Sequence, residues 1–164
     1  MNTLSNAKGD PVPTRPSWRQ DKETIIKMAV TSLFAEEYCD FEESEREKLE
    51  ETLLKQCSEP WDEYELGKDF EQEGWPVDAS FLWKLDNVCG HIRLAKNNLE
   101  IAWFEEHKPL PPFEVGEQLI VWQQIGKIVG VCDSRPAHFM VRTPDQDENS
   151  SYLVKFEDAV KVSQ

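Results

Sequence analysis

The strongest constraint in this sequence is a change of hydrophobic period at residues 108–112, KPLPP. Before these prolines the apolar residues recur at intervals of three and four, and after them apolar and polar residues alternate over short runs. The first pattern is typical of amphipathic helices and the second of half-buried strands. Proline cannot continue a helix, because it lacks the N–H and its ring clashes with the preceding turn. The chain therefore divides into a helical part and a β part.

Three or four helices are predicted before the prolines. Ser17 with Gln20, and Ser44 with Glu47, fit the capping box in which a serine and a glutamine or glutamate three residues later begin a helix. Asp78 is a candidate N-cap for the longest helix. The expected helices cover about 18–38, the stretch from Ser44 towards Pro60, about 62–73, and about 28 residues from Asp78.

The longest predicted helix carries a seven-residue repeat. Its apolar positions alternate in spacing between four and three: Phe81, Leu85, Val88, Ile92, Ala95, Leu99 and Ala102. Such a stripe can pack against other helices of the same chain or pair with a second copy, so both a monomer and a homodimer are compatible with the sequence. Leu82, Cys89 and Trp103 widen the stripe and favour packing within the chain.

Five short strands are predicted after the prolines, at about 118–123, 126–132, 137–143, 151–155 and 159–163. Gly126, the turn DSRPA and the polar stretch TPDQDENSS are the expected connections. Alternation places Val129, Val131, Phe139 and Val141 on the inner face.

This region resembles an SH3-like small β-barrel in three features: Phe113-x-x-Gly116 before the first strand, GKIVGV as the second strand, and FEDAV before the last. The resemblance implies an α+β protein in which a helical bundle is followed by a five-stranded SH3-like barrel. The expected organisation is a flexible arm at 1–16, a helical domain at 17–108, a proline-rich linker at 109–112 and the barrel at 113–164. Such barrels bind RNA, DNA, peptides or protein surfaces, so the fold leaves the function open.

The acidic charge is concentrated in one segment. The net charge is −14, and residues 36–74 contain sixteen acidic and four basic side chains, a balance of −12. Two readings stay open: solvated helix faces, or a dense negative surface that attracts a protein with a basic surface. In composition the segment resembles DNA-mimic inhibitors, which occupy the nucleic-acid sites of their targets.

We therefore expect a non-enzymatic protein-binding protein, an adaptor or inhibitor whose acidic helical face meets a basic partner. The candidate partner-binding residues are Glu43, Glu47, Glu50, Glu51, Trp61, Asp62, Glu63, Tyr64 and Glu65 in the helical part, and Trp122 and Tyr152 in the barrel. A barrel that reads a peptide or a nucleic acid through these last two aromatic residues is the first alternative, although they could instead complete its small core. Direct nucleic-acid binding is disfavoured, because residues 109–164 hold five basic side chains against eight acidic ones.

A second alternative is a small thiol enzyme or hydrolase. Cys132 and His138 flank the DSRPA turn, and a thiol beside an imidazole can be activated by a lowered pKa. No catalytic residue, metal or cofactor is assigned from the sequence. The calcium-loop-like stretch DQDENSSYLVKF has Ser150 where the turn needs glycine and Phe156 where the metal needs a glutamate.

The sequence favours a cytoplasmic protein with no membrane association. It contains no run of about 18 apolar residues, and its first residues lack the apolar segment of a secretory signal. The four cysteines, which form no C-x-x-C pair, are expected to be reduced thiols.

Overall fold

The computed structural model describes residues 2–162, which contain four α-helices followed by a four-stranded antiparallel sheet. The helices are α1 (Trp18–Phe34), α2 (Arg46–Gln56), α3 (Glu63–Gln72) and α4 (Ala79–His107), and the strands are β1 (Gln118–Val121), β2 (Gln124–Val131), β3 (His138–Arg142) and β4 (Tyr152–Lys155). The chain divides into two compact units: a helical unit (residues 16–100) and a β unit (residues 2–15 and 101–162). No helix of the described residues is both long and apolar enough to span a membrane.

The helical unit is built around a cluster of aromatic rings. Phe41, Phe70, Trp75 and Phe81 pack with ring centroids 5.5–6.2 Å apart. The indole N–H of Trp75 donates to the hydroxyl of Thr52 at 3.1 Å, which satisfies the one polar atom that this ring brings into the core. The buried faces of α1, α2 and α4 complete the core with residues such as Ile25, Ile26, Leu33, Leu49, Leu53, Leu85 and Ile92.

The seven-residue repeat of α4 serves packing within the chain. Its residues Phe81, Leu85 and Ile92 are buried in the helical unit, and Ala102 near its C-terminal end is exposed. The face that could have formed a coiled-coil seam is therefore covered by the other helices. Trp103 widens the stripe as predicted, and it belongs to the core of the β unit.

The helix boundaries follow the capping chemistry. The Ser17 hydroxyl accepts from the backbone N–H of Gln20, as the first capping box predicts. The second capping box forms two residues earlier than predicted: the backbone N–H of Glu42 donates to the Glu45 carboxylate at 2.9 Å, and α2 begins after the 3₁₀ turn Glu43–Glu45. Helix α1 ends at Phe34, several residues before the predicted end, because the following N–H groups bond to carbonyls three residues back.

The β unit contains a curled sheet, a half-barrel, with the strand order β1-β2-β3-β4. Its core contains Leu119, Ile128, Phe139, Val141 and Phe156, all almost fully buried. The predicted fifth strand near 159–163 is not confirmed. Among the described residues of that stretch, Lys161 forms only an isolated bridge with Leu119, and residue 163 lies outside the described residues.

The predicted inner face of β2 is wrong at Ile128 and Val129, where the strand register shifts between Ile128 and Gly130, whereas Val131 pairs with the buried Phe139. Ile128 points inward, whereas Val129 and Val131 are exposed. Gly126 lies within β2 and not in a turn, and a Cβ there would meet Val141 Cγ1 at 2.6 Å. Every residue of this strand except Gln124 and Lys127 is apolar or small, and its register shifts between Ile128 and Gly130, so alternation alone could not identify the buried face.

Residues 2–15, where the sequence suggests a flexible arm, pack within the β unit. Leu4 is buried in its core, and Arg15 is buried with its guanidinium bound to the Glu157 carboxylate at 2.6 and 3.1 Å. The same guanidinium donates to the backbone carbonyls of Pro136 and Ala137, both at 2.9 Å. A buried cation with four acceptors holds this segment in place.

Candidate functional site

Four glutamates follow the solvent-facing side of α2 and of the turn before it. Glu47, Glu50 and Glu51 are spaced by three and one, so they share one helix face, and Glu43 precedes that face by one turn. The opposite face is buried through Leu49, Thr52 and Leu53. We call these four glutamates the α2 acidic stripe.

The stripe is only partly neutralised. Glu43 lies 3.3 Å from the Arg46 guanidinium. Within residues 2–162, neither Glu47 nor Glu51 has a lysine, arginine or histidine nitrogen within 4 Å. These exposed carboxylates leave a negative potential at this side of the helical unit.

The residues predicted around the start of α3 have separate roles. Asp62 is the N-cap of α3, and its carboxylate accepts from the backbone N–H groups of Tyr64 and Glu65, both at 3.0 Å. Trp61 packs edge-on against Trp18, with ring centroids 5.2 Å apart. The Glu65 carboxylate is paired with Lys68 at 2.6 Å. Asp62 and Trp61 thus contribute to the fold of the helical unit, whatever else they bind.

The remaining two residues of that group, Glu63 and Tyr64, line a cleft of about 270 Å³ between α3 and α4. The α4 side of this cleft consists of Ala79, Leu82, Trp83 and Asp86. Tyr64 is 61% exposed and Trp83 is 73% exposed, although both are large aromatic side chains. We call this feature the aromatic cleft.

Trp83 and Asp86 were not identified from the sequence. Both lie off the heptad stripe of α4, on positions that a helical pattern assigns to solvent. A tryptophan at such a position was the available signal, because tryptophan is enriched in protein interfaces.

Trp122 does not complete the core of the β unit. It is 80% exposed and occupies the two-residue turn between β1 and β2 together with Gln123. Both residues have positive φ, at 50° and 67°, in a turn where Asn-Gly is the usual pair. Left-handed backbone at residues other than glycine costs about 1–2 kcal/mol each. Tyr152, the other predicted aromatic residue, is half-buried and packs against the β-unit core.

The outer surface of the sheet exposes several apolar side chains. These include Ile120, Ile125, Val129 and Leu153. A shallow groove of about 590 Å³ crosses this region, lined by apolar residues together with the basic side chains Lys127 and Arg142.

Cys132 and His138 lie opposite each other, since the backbone N–H of Cys132 donates to the carbonyl of His138 at 2.9 Å. The Cys132 thiol interacts with the Ser134 hydroxyl at 3.3 Å, and Nδ1 of His138 contacts the Pro136 carbonyl at 2.8 Å. The hydrogen bond from Ser134 is the main cause that lowers the pKa of Cys132. Burial instead raises the pKa of Cys57 to about 12 and that of Cys89 to about 11.

A serine, a histidine and a glutamate meet between α1 and α4. His91 Nδ1 lies 3.1 Å from Ser32 Oγ, and His91 Nε2 lies 3.0 Å from Glu36 Oε1. Nucleophilic catalysis would also need donors for an oxyanion. Ser32 lies inside α1, where the backbone N–H groups are already bonded within the helix. The array joins α1 and the turn after it to α4 through side-chain contacts.

The described residues contain no group of three or more histidine, cysteine, aspartate or glutamate side chains placed to hold a metal ion. All four cysteines are free thiols.

The structure thus defines an α+β protein with four helices, a half-barrel sheet, and aromatic and acidic side chains exposed in the helical unit. Compared with known proteins, the chain matches no protein-family model, no curated protein and no solved structure.

Proposed function

We propose that this protein binds another protein without catalysing a reaction, as an adaptor or inhibitor whose acidic helical surface meets a basic partner. The observation that carries the proposal is the α2 acidic stripe, in which Glu47 and Glu51 are exposed and Glu50 is half-buried on the side opposite to the buried face of the helix. Carboxylates repeated along one helix side attract a basic surface and accelerate its association.

The position of the charge supports a binding role over a general solubility role. Residues 36–74 hold a balance of −12 out of the net −14, so the negative field is local. A basic groove that normally holds nucleic acid is one surface that such a field complements, which makes a nucleic-acid-mimicking inhibitor the favoured form of the proposal.

The test begins with capture of partners from the source cells, using nuclease-treated extract, and continues with titration of the purified partner. The stripe variant Glu43→Lys, Glu47→Lys, Glu50→Lys, Glu51→Lys should bind at least about 100-fold more weakly than the unmodified protein, because attraction becomes repulsion. Binding of the unmodified protein should also weaken steeply with salt, since the screening length falls to about 3 Å at 1 M.

A control variant tests whether binding depends on the charge of the α2 acidic stripe or only on the net charge of the protein. Glu105, Glu114, Asp133 and Glu148 are exposed acidic residues of the β unit, and their replacement by lysine changes the net charge by the same amount. This control should retain binding within about threefold. The proposal fails if both variants lose affinity equally, or if binding to the stripe variant survives. A partner that binds DNA should also release it when this protein is added.

A second candidate function is supported by Trp122. We propose that the half-barrel is of the SH3-like type and binds a peptide on its outer face, where Trp122 and Ile125 are exposed. Replacement of Trp122 by alanine should then abolish binding of the partner and leave the fold intact, whereas the stripe variant should bind normally. The two candidates therefore predict opposite results for the same pair of variants.

A further inference from the structure

The aromatic cleft between α3 and α4 combines exposed aromatic rings with carboxylates. Tyr64 and Trp83 expose their rings, and the carboxylates of Glu63 and Asp86 lie in the same lining. Within the described part of the chain, neither carboxylate forms an ion pair with a lysine or arginine. The cleft thus provides aromatic faces and uncompensated negative charge in one place.

The close approach of α3 and α4 shapes this cleft. Gly67 of α3 has no side chain, and a Cβ at that position would lie 2.6 Å from Leu82 Cδ2. Leu82 of α4 therefore reaches the backbone of α3 and contributes apolar surface to the cleft lining. An apolar surface with carboxylates at its edge suits a side chain that has an aliphatic stem and a cationic end.

We propose that the aromatic cleft binds a single arginine side chain of the basic partner. A guanidinium can stack on the indole or phenol ring and donate to a carboxylate at the same time, because it is planar and carries five donors. The cleft volume of about 270 Å³ is below the roughly 300 Å³ at which clefts begin to enclose drug-sized ligands. A nucleotide base could also stack on these rings, but its phosphates would be repelled by Glu63 and Asp86.

This inference rests on the proposed function, since it names the group by which a basic partner is held. The α2 acidic stripe would attract any dense positive charge. The cleft would distinguish a guanidinium from a neutral group of the same shape, through stacking on its rings and hydrogen bonds to its carboxylates.

The experiment uses the full chain and two synthetic nine-residue peptides that differ at one position. Each has a central residue flanked by two lysines on either side and capped by glycines, and the central residue is arginine in one and its neutral isostere citrulline in the other. Affinity is measured by calorimetry, and the indole N–H resonances are followed in NMR spectra with ¹⁵N labelling. The arginine peptide should bind about tenfold more tightly than the citrulline peptide and should shift the Trp83 indole signal.

Variants of the cleft should remove this preference. With Trp83→Ala, or with Glu63→Gln and Asp86→Asn together, the two peptides should bind within about twofold of each other. Trp83→Phe should retain part of the preference, because it keeps an aromatic face. Tyr38→Ala, which removes an exposed aromatic ring outside the cleft lining, should leave the preference unchanged. Circular dichroism spectra verify that each variant is folded.

The outcomes separate the two proposals. If arginine and citrulline peptides bind equally to the unmodified protein and the stripe variant binds neither, the cleft proposal is wrong and the acidic-stripe proposal stands. If the stripe variant binds both peptides as the unmodified protein does and Trp83→Ala removes the arginine preference, the cleft is supported and the stripe is not the binding surface. If neither peptide binds measurably at low salt, both proposals are overturned.

Discussion

At the scale of single residues, the surroundings of a residue decide whether it can be replaced. Two glycines show this clearly. Gly90 lies inside α4 with no atom within 4 Å of where a Cβ would be, whereas a Cβ at Gly126 would meet Val141 Cγ1 at 2.6 Å and the Arg142 carbonyl oxygen at 3.2 Å. One glycine is therefore replaceable, and the other allows two strands to approach.

These two positions give opposite expectations for one substitution. Gly90→Ala should raise the free energy of unfolding by about 1 kcal/mol, because alanine is the better helix former. Gly126→Ala should lower it by about 1–3 kcal/mol, because the methyl group overpacks the sheet. Urea denaturation curves of the two variants and the unmodified protein measure both changes. A shift of both variants in the same direction would contradict this explanation.

The Arg15–Glu157 pair gives a second prediction. Burial raises the pKa of Glu157, but the hydrogen bonds and charge of Arg15 outweigh it and hold that pKa below its usual value of 4.5. A carboxyl whose pKa is lowered on folding stabilises the folded state above its unfolded pKa. This contribution is lost as the pH falls below about 4.5 and through the folded-state value.

Arg15→Ala should therefore lower the free energy of unfolding at pH 7 by about 3–5 kcal/mol, because it leaves a largely buried carboxylate without its cation. Glu157→Gln should reduce the loss of stability on acidification, measured by denaturation at pH 7 and below pH 4. Glu105→Gln, at an exposed position, is the control and should match the unmodified protein. Equal acid sensitivity of Glu157→Gln and this control would rule out the proposed linkage.

At the scale of elements, the position of a carboxylate on its helix shows whether it stabilises the fold. A carboxylate at the N-cap bonds to the helix backbone, whereas one on the exposed face is a candidate binding group. Asp62 and Tyr64 both belong to the predicted binding group, but Asp62 caps α3 while Tyr64 lies exposed in the aromatic cleft. Composition could not separate them, because both residues stand in the same acidic stretch. Helix geometry separates them, since only the N-cap carboxylate can reach the free N–H groups of the first turn.

Two substitutions of Asp62 distinguish its role as the N-cap of α3 from a role of its negative charge in binding. Asp62→Ala should lower the free energy of unfolding by about 1 kcal/mol, because two backbone N–H groups lose their acceptor. Asp62→Asn should be nearly neutral for stability, because its amide oxygen can still accept. If Asp62→Asn weakens partner binding while stability is retained, Asp62 also contributes charge to the interface. Thermal unfolding and the partner titration report the two effects separately.

At the scale of the whole molecule, the concentration of charge has an energetic cost. A balance of −12 within residues 36–74 means that folding brings like charges together, which opposes the compact state. Salt screens this repulsion with a Debye length of about 10 Å at 0.1 M.

The melting temperature should therefore rise by about 2–4 °C when sodium chloride is increased from about 10 to about 200 mM, which corresponds to roughly 1 kcal/mol. The variant Glu47→Gln, Glu50→Gln, Glu51→Gln should melt higher in low salt and respond less to added salt. Calorimetric scans of both proteins at matched pH measure the effect. A melting temperature that falls with salt would show that ion pairs, and not repulsion, dominate the electrostatics.

The sequence by itself determined the features that depend on neighbouring residues. The change from helix to strand at KPLPP, the buried stripe of α4 and the acidic segment all follow from period, proline chemistry and charge, and the first four predicted strands lie close to the observed ones. These signals are local because a helix or strand repeats its faces within a few residues.

Only the tertiary structure decided which surfaces were covered. It placed Ile128 inward and Val129 outward, packed residues 2–15 into the β unit, and left Trp83 and Trp122 exposed. Burial depends on segments that are distant in sequence, and a strand of small apolar residues can present either face until its partners are in place. The aromatic cleft has the same origin, because its two sides lie on different helices and meet only where Gly67 lets α3 approach α4.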